Sequence, residues 1–514
     1  MASCNERDEV DRRVAQGGVP AAGAVGLESG AGHRRNGTAA GVAVSLAIGL
    51  VLVLVALVVY TWTKPFRFYD HFEWQAAAFL EGEVAIRFPV APTAESPGNA
   101  FFQDVLPIET DDGIPRGLIP FPPLPAIVLL PFVAAWGRDA DSQLIFALLG
   151  ALDVAIAWWM LGRLPIRPWV RLATTTFFAF GTVFWYAAQI GTTWYQAHVL
   201  AVGLAMLAVG LALGGDRDAA ADEDDLPDPG PDGPASAGAR ARGVAGQAAR
   251  LARSGVDPRQ FAVGLLFGLA CTARLTVAFA APFFLLVGPG GGWLRRGFSA
   301  GLGAAIPVGA LVVYNLVTTG NVLHPGYDYL YRLEAAFYEP LGYNLDWAIE
   351  DPRYIPQNLG IMLLSAPAIL PDVYPAGLGG GEALCTAPGA VRGLFDEACP
   401  SALPRDIGMS ILLTSPAYLF ILPALRRYGR SRLVTGAALA VVAIAVFNLM
   451  HFSQGWVQFG YRFSNDFVPW ALLLVAVGTE RVRSGAGIAL AIALVGISVA
   501  VNWWGVVWGN ILGW

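Results

Sequence analysis

Of the 514 residues, 55% are hydrophobic and only 14% charged, and the formal net charge is −6. A soluble globule carries about a quarter charged residues, so this composition excludes one and points to a polytopic membrane protein. No basic stripe runs through the chain, which excludes nucleic acid as a partner.

Residues 1–38 are polar and rich in Gly, Ala and charge, which predicts a disordered cytoplasmic tail. The first apolar run, 40–61, has no small-residue cleavage site before Lys64 and Pro65 and reads as a retained anchor. A first outer loop follows over 62–140. It opens with DHFEWQAAAFLEGEV, in which Phe72, Ala76, Phe79 and Leu80 fall at helical spacing. That pattern predicts a short amphipathic helix on the membrane surface. The later FPPLPAIVLLPFVAAW is apolar but broken by proline, and reads as interfacial or re-entrant.

Further spans are expected at 141–161, 169–188 and 194–213, completing an N-terminal membrane module over 39–213. Residues 214–258 begin acidic and end basic, the pattern of a disordered cytoplasmic linker. The C-terminal module, 259–514, predicts spans at 260–272, 275–288, 298–318, 409–425, 431–451, 467–483 and 485–505. An outer loop, 319–408, separates its two groups of helices. The total is about eleven, several of which reach the ~20 residues that cross ~30 Å of hydrocarbon, while 260–272 and 275–288 are short.

Arginine sets the orientation and resolves 260–288. Arg259 precedes this stretch and Arg295 and Arg296 follow it, so both ends belong inside and the chain must turn near Thr272, Ala273 and Arg274. Arg12 and Arg13, Arg163, Arg167 and Arg171, Arg426 to Arg432, and Arg481 and Arg483 then fall on the same side. The N-terminus is expected inside and the C-terminus outside. Cys385 and Cys399 share the outer loop, where a disulfide closing about fifteen residues adds ~3 kcal/mol. No CxxC or paired-His spacing accompanies them, and a divalent metal is neither required nor excluded.

The outer edge gathers groups that are costly in a membrane. Asp70, His71 and Glu73 follow the first span, and Arg116 precedes the proline-rich run. Arg274 sits at the hairpin apex, His198 at the start of the fourth span, His451 at the end of the ninth, and Arg462 beside Asp466 in QFGYRFSNDFVP. Unpaired arginines at this depth cost at least ~2.5 kcal/mol each. Internal salt bridges, Arg462 with Asp466 for example, are one way to neutralise them; a lipid phosphate is the other.

At these residues the chain resembles the GT-C glycosyltransferases that take sugar from a polyprenyl phosphate, nearest the protein mannosyltransferase and aminoarabinose transferase branch. The matching segments are YDHFEWQAAAFLEG, FPPLPAIVLLPFVAAWG, the hairpin GLLFGLACTARLTVAFAAPFFLL and GYRFSNDFVPWALLL. They follow one another in the order of that family and span nearly the whole membrane part. The resemblance implies an all-α polytopic GT-C-like bundle of about eleven spans with juxtamembrane helices in the first outer loop. It also implies an inverting transfer from a polyprenyl-phosphate-linked sugar to a glycan, lipid or protein hydroxyl, on the outer face of the plasma membrane. By position Asp70 is the catalytic base. The usual adjacent acidic pair is missing, since His71 follows and Glu73 comes next, so Glu73 is the rival base. Arg274 and Arg462 are the expected donor-phosphate ligands, with Arg116 and His198 behind them. A transporter or flippase, or a ligase of lipid-linked glycans, are the rival classes; no inverted repeat supports the first.

Overall fold

The computed structural model describes residues 39–65, 70–87, 104–108, 113, 116–215, 255–338, 344, 346–374, 381–455 and 457–514. The expected tail, 1–38, and most of the expected linker, 216–254, lie outside the described residues. Two compact units are present, Met1–Ala47 and Ile48–Trp514; the first is described only from residue 39, and all that follows concerns the second.

The first half contains α1 (Ala39–Trp62), α2 (His71–Leu80), α3 (Leu124–Trp136), α4 (Ser142–Leu161), α5 (Pro168–Phe180), α6 (Phe184–Ile190) and α7 (Thr193–Gly215). The second half begins with α8 (Pro258–Ala273), α9 (Ala281–Leu286), α10 (Trp293–Thr319), α11 (Gly326–Tyr338) and α12 (Ile355–Leu364). It ends with α13 (Ile411–Thr414), α14 (Ile421–Leu425), α15 (Arg432–Met450), α16 (Val468–Glu480) and α17 (Gly485–Ile511). Among the described residues six helices are long and apolar enough to cross a membrane: α1, α4, α7, α10, α15 and α17. The chain is therefore a multi-pass membrane protein.

The other expected spans are helical but short or broken. The run 169–188 divides into α5 and α6 around Gly181, and 409–425 divides into α13, a 3-10 turn over Pro416–Phe420, and α14. Proline and glycine interrupt the helical hydrogen-bond series at these breaks. The stretch 260–288 breaks at Arg274, which is extended (φ −138°, ψ 109°) between α8 and a 3-10 turn over Leu275–Ala280. Its two arms run antiparallel. Gln260 at the start of α8 donates to the Phe284 carbonyl in α9 at 3.1 Å, and Phe267 meets Phe284 with ring centroids 4.8 Å apart.

The chain is mostly helical, and its loops add two small sheets. β1 (Ile86–Arg87), β2 (Leu106–Ile108) and β3 (Arg116–Leu118) form an antiparallel sheet in the order β1-β3-β2, with Arg87 opposite Arg116. β4 (Ala368–Ile369) pairs antiparallel with β5 (Ala402–Leu403). Such segments leave the bundle and can satisfy their backbone groups only by pairing with one another. In the long connection between α12 and α13 Cys385 and Cys399 are joined by a disulfide.

The arginine-bearing connections α4–α5, α7–α8, α9–α10 and α16–α17 share one end of the bundle. Arg167, between α4 and α5, pairs with Glu480 at the end of α16 at 3.0 Å. Arg259, at the start of α8, lies against the last residues of α7. The opposite end holds the starts of α4 and α7, the ends of α8 and α15, and the segment before α16. There Gln196 of α7 donates to Ser142 of α4 at 3.2 Å, and Asn510 near the end of α17 donates to the Thr63 carbonyl at 2.7 Å.

Candidate functional site

Asp70 is the last residue before α2 but makes no side-chain cap to that helix. Its carboxylate instead accepts the Trp74 indole N–H at 3.2 Å and remains partly exposed. Glu73, three residues on, turns inward: it is 5% exposed, and its Oε1 accepts the Ser142 backbone N–H of α4 at 3.1 Å. Burial pushes the Asp70 carboxyl up, while its own backbone, the nearby His71 and a hydrogen bond from Glu73 pull it back. Burial raises Glu73 further, to about 7, against the opposing bonds from Ser142, and the Asp70 charge adds to the rise. Burial thus favours a proton on either acid, and most on Glu73, the less exposed of the two.

His71 between them is fully buried, its Nδ1 2.9 Å from Thr193 Oγ1 at the start of α7. Its ring meets that of Trp194 edge-on, with centroids 5.9 Å apart. The Trp194 indole in turn donates to Asp104 at 2.5 Å. Tyr195 completes this turn, and the Arg462 guanidinium stands over its ring at 5.6 Å. Three consecutive residues of α7 therefore touch both the carboxylate corner and the arginine corner.

The arginine corner is built on Asp466, in the 3-10 turn Arg462–Asp466 before α16. Asp466 is 2% exposed and accepts two bonds from Arg274, Nε at 3.1 Å and the terminal nitrogen at 2.9 Å. Thr276 Oγ1 donates to it at 2.7 Å and Asn448 Nδ2 at 3.2 Å. Burial alone would raise this carboxyl, but Arg274 beside it holds it well below the usual carboxylate range. His198 is fully buried; its Nδ1 lies 3.0 Å from Asp466 Oδ1 without the alignment of a hydrogen bond.

The pairing weighed for Arg462 with Asp466 is taken by Arg274. Arg462 has no carboxylate partner among the described residues, and its buried Nε has no hydrogen bond. Aromatic faces hold it: besides Tyr195, the Phe463 ring lies 5.3 Å from its Cζ. The same ring has the Arg274 Cζ at 5.3 Å. Gly455, at φ +87°, makes room for the side chain, since a Cβ there would fall 2.6 Å from Arg462 Nε. Tyr327 links the corners, being in electrostatic range of both Arg274 and Asp104.

Arg116 is placed differently from the other arginines named above. It lies on β3, 3.6 Å from Glu83 across the small sheet. The sequence did not single out Asp104, Thr193, Tyr195 or the pair of His451 Nδ1 with Glu350 Oε1 at 2.8 Å. Only the Trp194–Tyr195 dipeptide at the start of a span was a visible signal. No group of three or more His, Cys, Asp or Glu among the described residues is arranged to hold a metal ion.

No protein-family model and no curated protein matches this chain. Among solved structures it is similar to ArnT from Cupriavidus metallidurans bound to undecaprenyl phosphate. That likeness has 16% identity and a TM-score of 0.43, over 93% of this chain and 76% of that one. It is also similar to the oligosaccharyltransferase AglB from Archaeoglobus fulgidus in complex with an inhibitory peptide and a dolichol-phosphate. There the identity is 11% and the TM-score 0.41, over 90% of this chain and 56% of that one.

Proposed function

We propose that this protein is an inverting glycosyltransferase that moves a sugar from a polyprenyl-phosphate donor to an acceptor hydroxyl at the outer face of the plasma membrane. The observation that carries the reading is Arg462: a guanidinium without a carboxylate partner among the described residues, beside Arg274 on one aromatic ring. An arginine held this way at a membrane boundary is stabilised by a phosphate ligand. Asp70 is the base in this reading, because its carboxylate is the more exposed of the pair and Glu73 is tied to Ser142.

The acceptor O–H gives its proton to Asp70 as the oxygen bonds to the anomeric carbon. The bond from that carbon to the phosphate oxygen breaks, and its electron pair leaves with the polyprenyl phosphate. One negative charge thereby passes from Asp70 to the leaving phosphate. Arg462 stabilises that developing charge, with Arg274 beside it.

Two measurements, one on purified protein and one in native membranes, test this. A short-chain polyprenyl phosphate should bind wild type and Asp70→Asn alike, and Arg462→Gln at least ~10-fold more weakly. Release of polyprenyl phosphate from a labelled polyprenyl-phosphate sugar in native membranes should fall ~10²–10⁴-fold in Asp70→Asn. Full release in Asp70→Asn with loss in Glu73→Gln would move the base to Glu73. Unchanged binding in Arg462→Gln would remove the donor site from this corner.

A further inference from the structure

The arginine end of the bundle holds a second cluster of positive charge, about 30 Å from the first. α4 and α7 start side by side at Ser142 and Thr193, and each takes about twenty residues to reach Gly162 and Gly214. At 1.5 Å per residue that is ~30 Å, the thickness of the hydrocarbon layer. The groups at these two glycines therefore stand at the level of lipid headgroup phosphates.

Three guanidiniums meet there. A Cβ at Gly214 would fall 2.8 Å from a terminal nitrogen of Arg259 and 3.5 Å from one of Arg163. Those two nitrogens can be no farther apart than these distances laid end to end. Arg171 lies against Gly162 next door, its Nε bonded to the Trp158 carbonyl at 2.7 Å. Burial lowers the pKa of Arg163, and the Arg259 charge lowers it further.

The acids nearby, among the described residues, do not neutralise Arg163 and Arg259. Asp257 accepts the backbone N–H of Arg259 at 3.1 Å and of Gln260 at 2.9 Å, and Glu480 is paired with Arg167. Arg295 and Arg296, at the start of α10, donate to the Gly255 and Leu285 carbonyls at 3.2 and 3.0 Å and so bring no carboxylate to the cluster. The C-terminal dipoles of α4 and α7 offer about half a negative charge each, too little for three cations.

The surface of α4 leads to the same place. Leu144, Leu148 and Leu152, each more than 40% exposed, form a stripe at four-residue spacing. Continued down the helix, that face reaches Trp159 and then Arg163, whose Cζ stands 4.7 Å from the Trp159 ring. An acyl chain laid on the half of this face nearest Arg163, from Trp159 to Leu152, reaches about 16 Å from Arg163, one leaflet's depth, with its headgroup at the arginines.

We infer that Arg163 and Arg259 form a binding site for the phosphate of an anionic phospholipid, whose acyl chain lies along the face of α4 from Trp159 to Leu152. The test uses full-length protein stripped of lipid in detergent, titrated with phosphatidylglycerol, phosphatidylcholine or inorganic phosphate. Thermal midpoint and lipid retention by native mass spectrometry are the readouts. Phosphatidylglycerol is expected to raise the midpoint and remain bound, with phosphatidylcholine weaker and inorganic phosphate without effect. In Arg163→Gln/Arg259→Gln the apparent affinity for phosphatidylglycerol should fall at least ~10-fold. If that variant does not fold, Arg163→Lys/Arg259→Lys keeps the charge without the planar fork and should weaken binding in the same direction. An undiminished phosphatidylglycerol response in the folded variant overturns the site. Equal responses to both lipids overturn its charge selectivity, and a full response to inorganic phosphate overturns the lipid assignment.

Discussion

Arg274 and Arg462 flank one phenylalanine ring at equal distance, yet their electrostatic surroundings are opposite. Arg274 forks onto the buried Asp466, which Thr276 and Asn448 also bond. Arg462 stacks on aromatic faces with no carboxylate among the described residues. An arginine already paired with a buried acid contributes mainly to the architecture. One held by π-faces keeps its donors available for an anion. Position in the sequence alone would have given the two the same role.

The sharpest way to break the comparison is to remove Asp466. Asp466→Ala leaves Arg274 without its counter-ion, and is expected to cost about 3–5 kcal/mol, the scale of an uncompensated buried charge. Arg274→Ala should cost a similar amount by orphaning Asp466. Thermal midpoints in detergent check both, and a shift close to zero in either would show that the pair is not the anchor of this corner.

The carboxylate corner gives a pH-dependent effect of lesser size. Glu73, raised from 4.5 to about 7, holds a proton in the folded state that the unfolded chain releases. Its contribution to stability is therefore fully present below about pH 4.5 and lost as pH rises through 7, at ~1.4 kcal/mol per pH unit across that window. Glu73→Gln should flatten that slope while preserving a donor toward Asp70. A stability profile unchanged between pH 4.5 and 8 would contradict the raised Glu73 pKa.

Much of this was legible in the sequence for a physical reason. Apolar length and arginine sidedness are one-dimensional signals, so the helical runs and the hairpin break at Arg274 could be read directly. Pairing across the bundle is not. Asp466 lies four residues from Arg462 and 192 from Arg274, so local spacing favoured the wrong partner. Asp104 meets Trp194 across 90 residues through a loop with no periodic pattern, and nothing local announces that contact. The breaks in the shorter helices were obscured because their apolar character continues through the interruption.

Arg462→Gln comes next in size. It removes no ion pair, so folding stability should change by less than ~1 kcal/mol, while donor affinity falls ~10-fold or more. A large loss of stability instead would mean that the stacked guanidinium is a structural prop, and the contrast with Arg274 would collapse.

Arg116→Gln should have the smallest effect. Its neighbour Glu83 is 3.6 Å away with a side chain that is 53% exposed. The Arg116 side chain is itself 17% exposed, and a half-exposed pair at that distance is worth about 1 kcal/mol or less. The residue belongs to β3, where the ladder with β1 and β2 is made by backbone groups that the substitution leaves intact. Donor affinity is expected to change less than ~3-fold, because a charge tied to the sheet makes no direct contact with the phosphate. A drop as large as that of Arg462→Gln would bring β3 into the donor site. The distinction would then lie between three arginines converging on one phosphate and two.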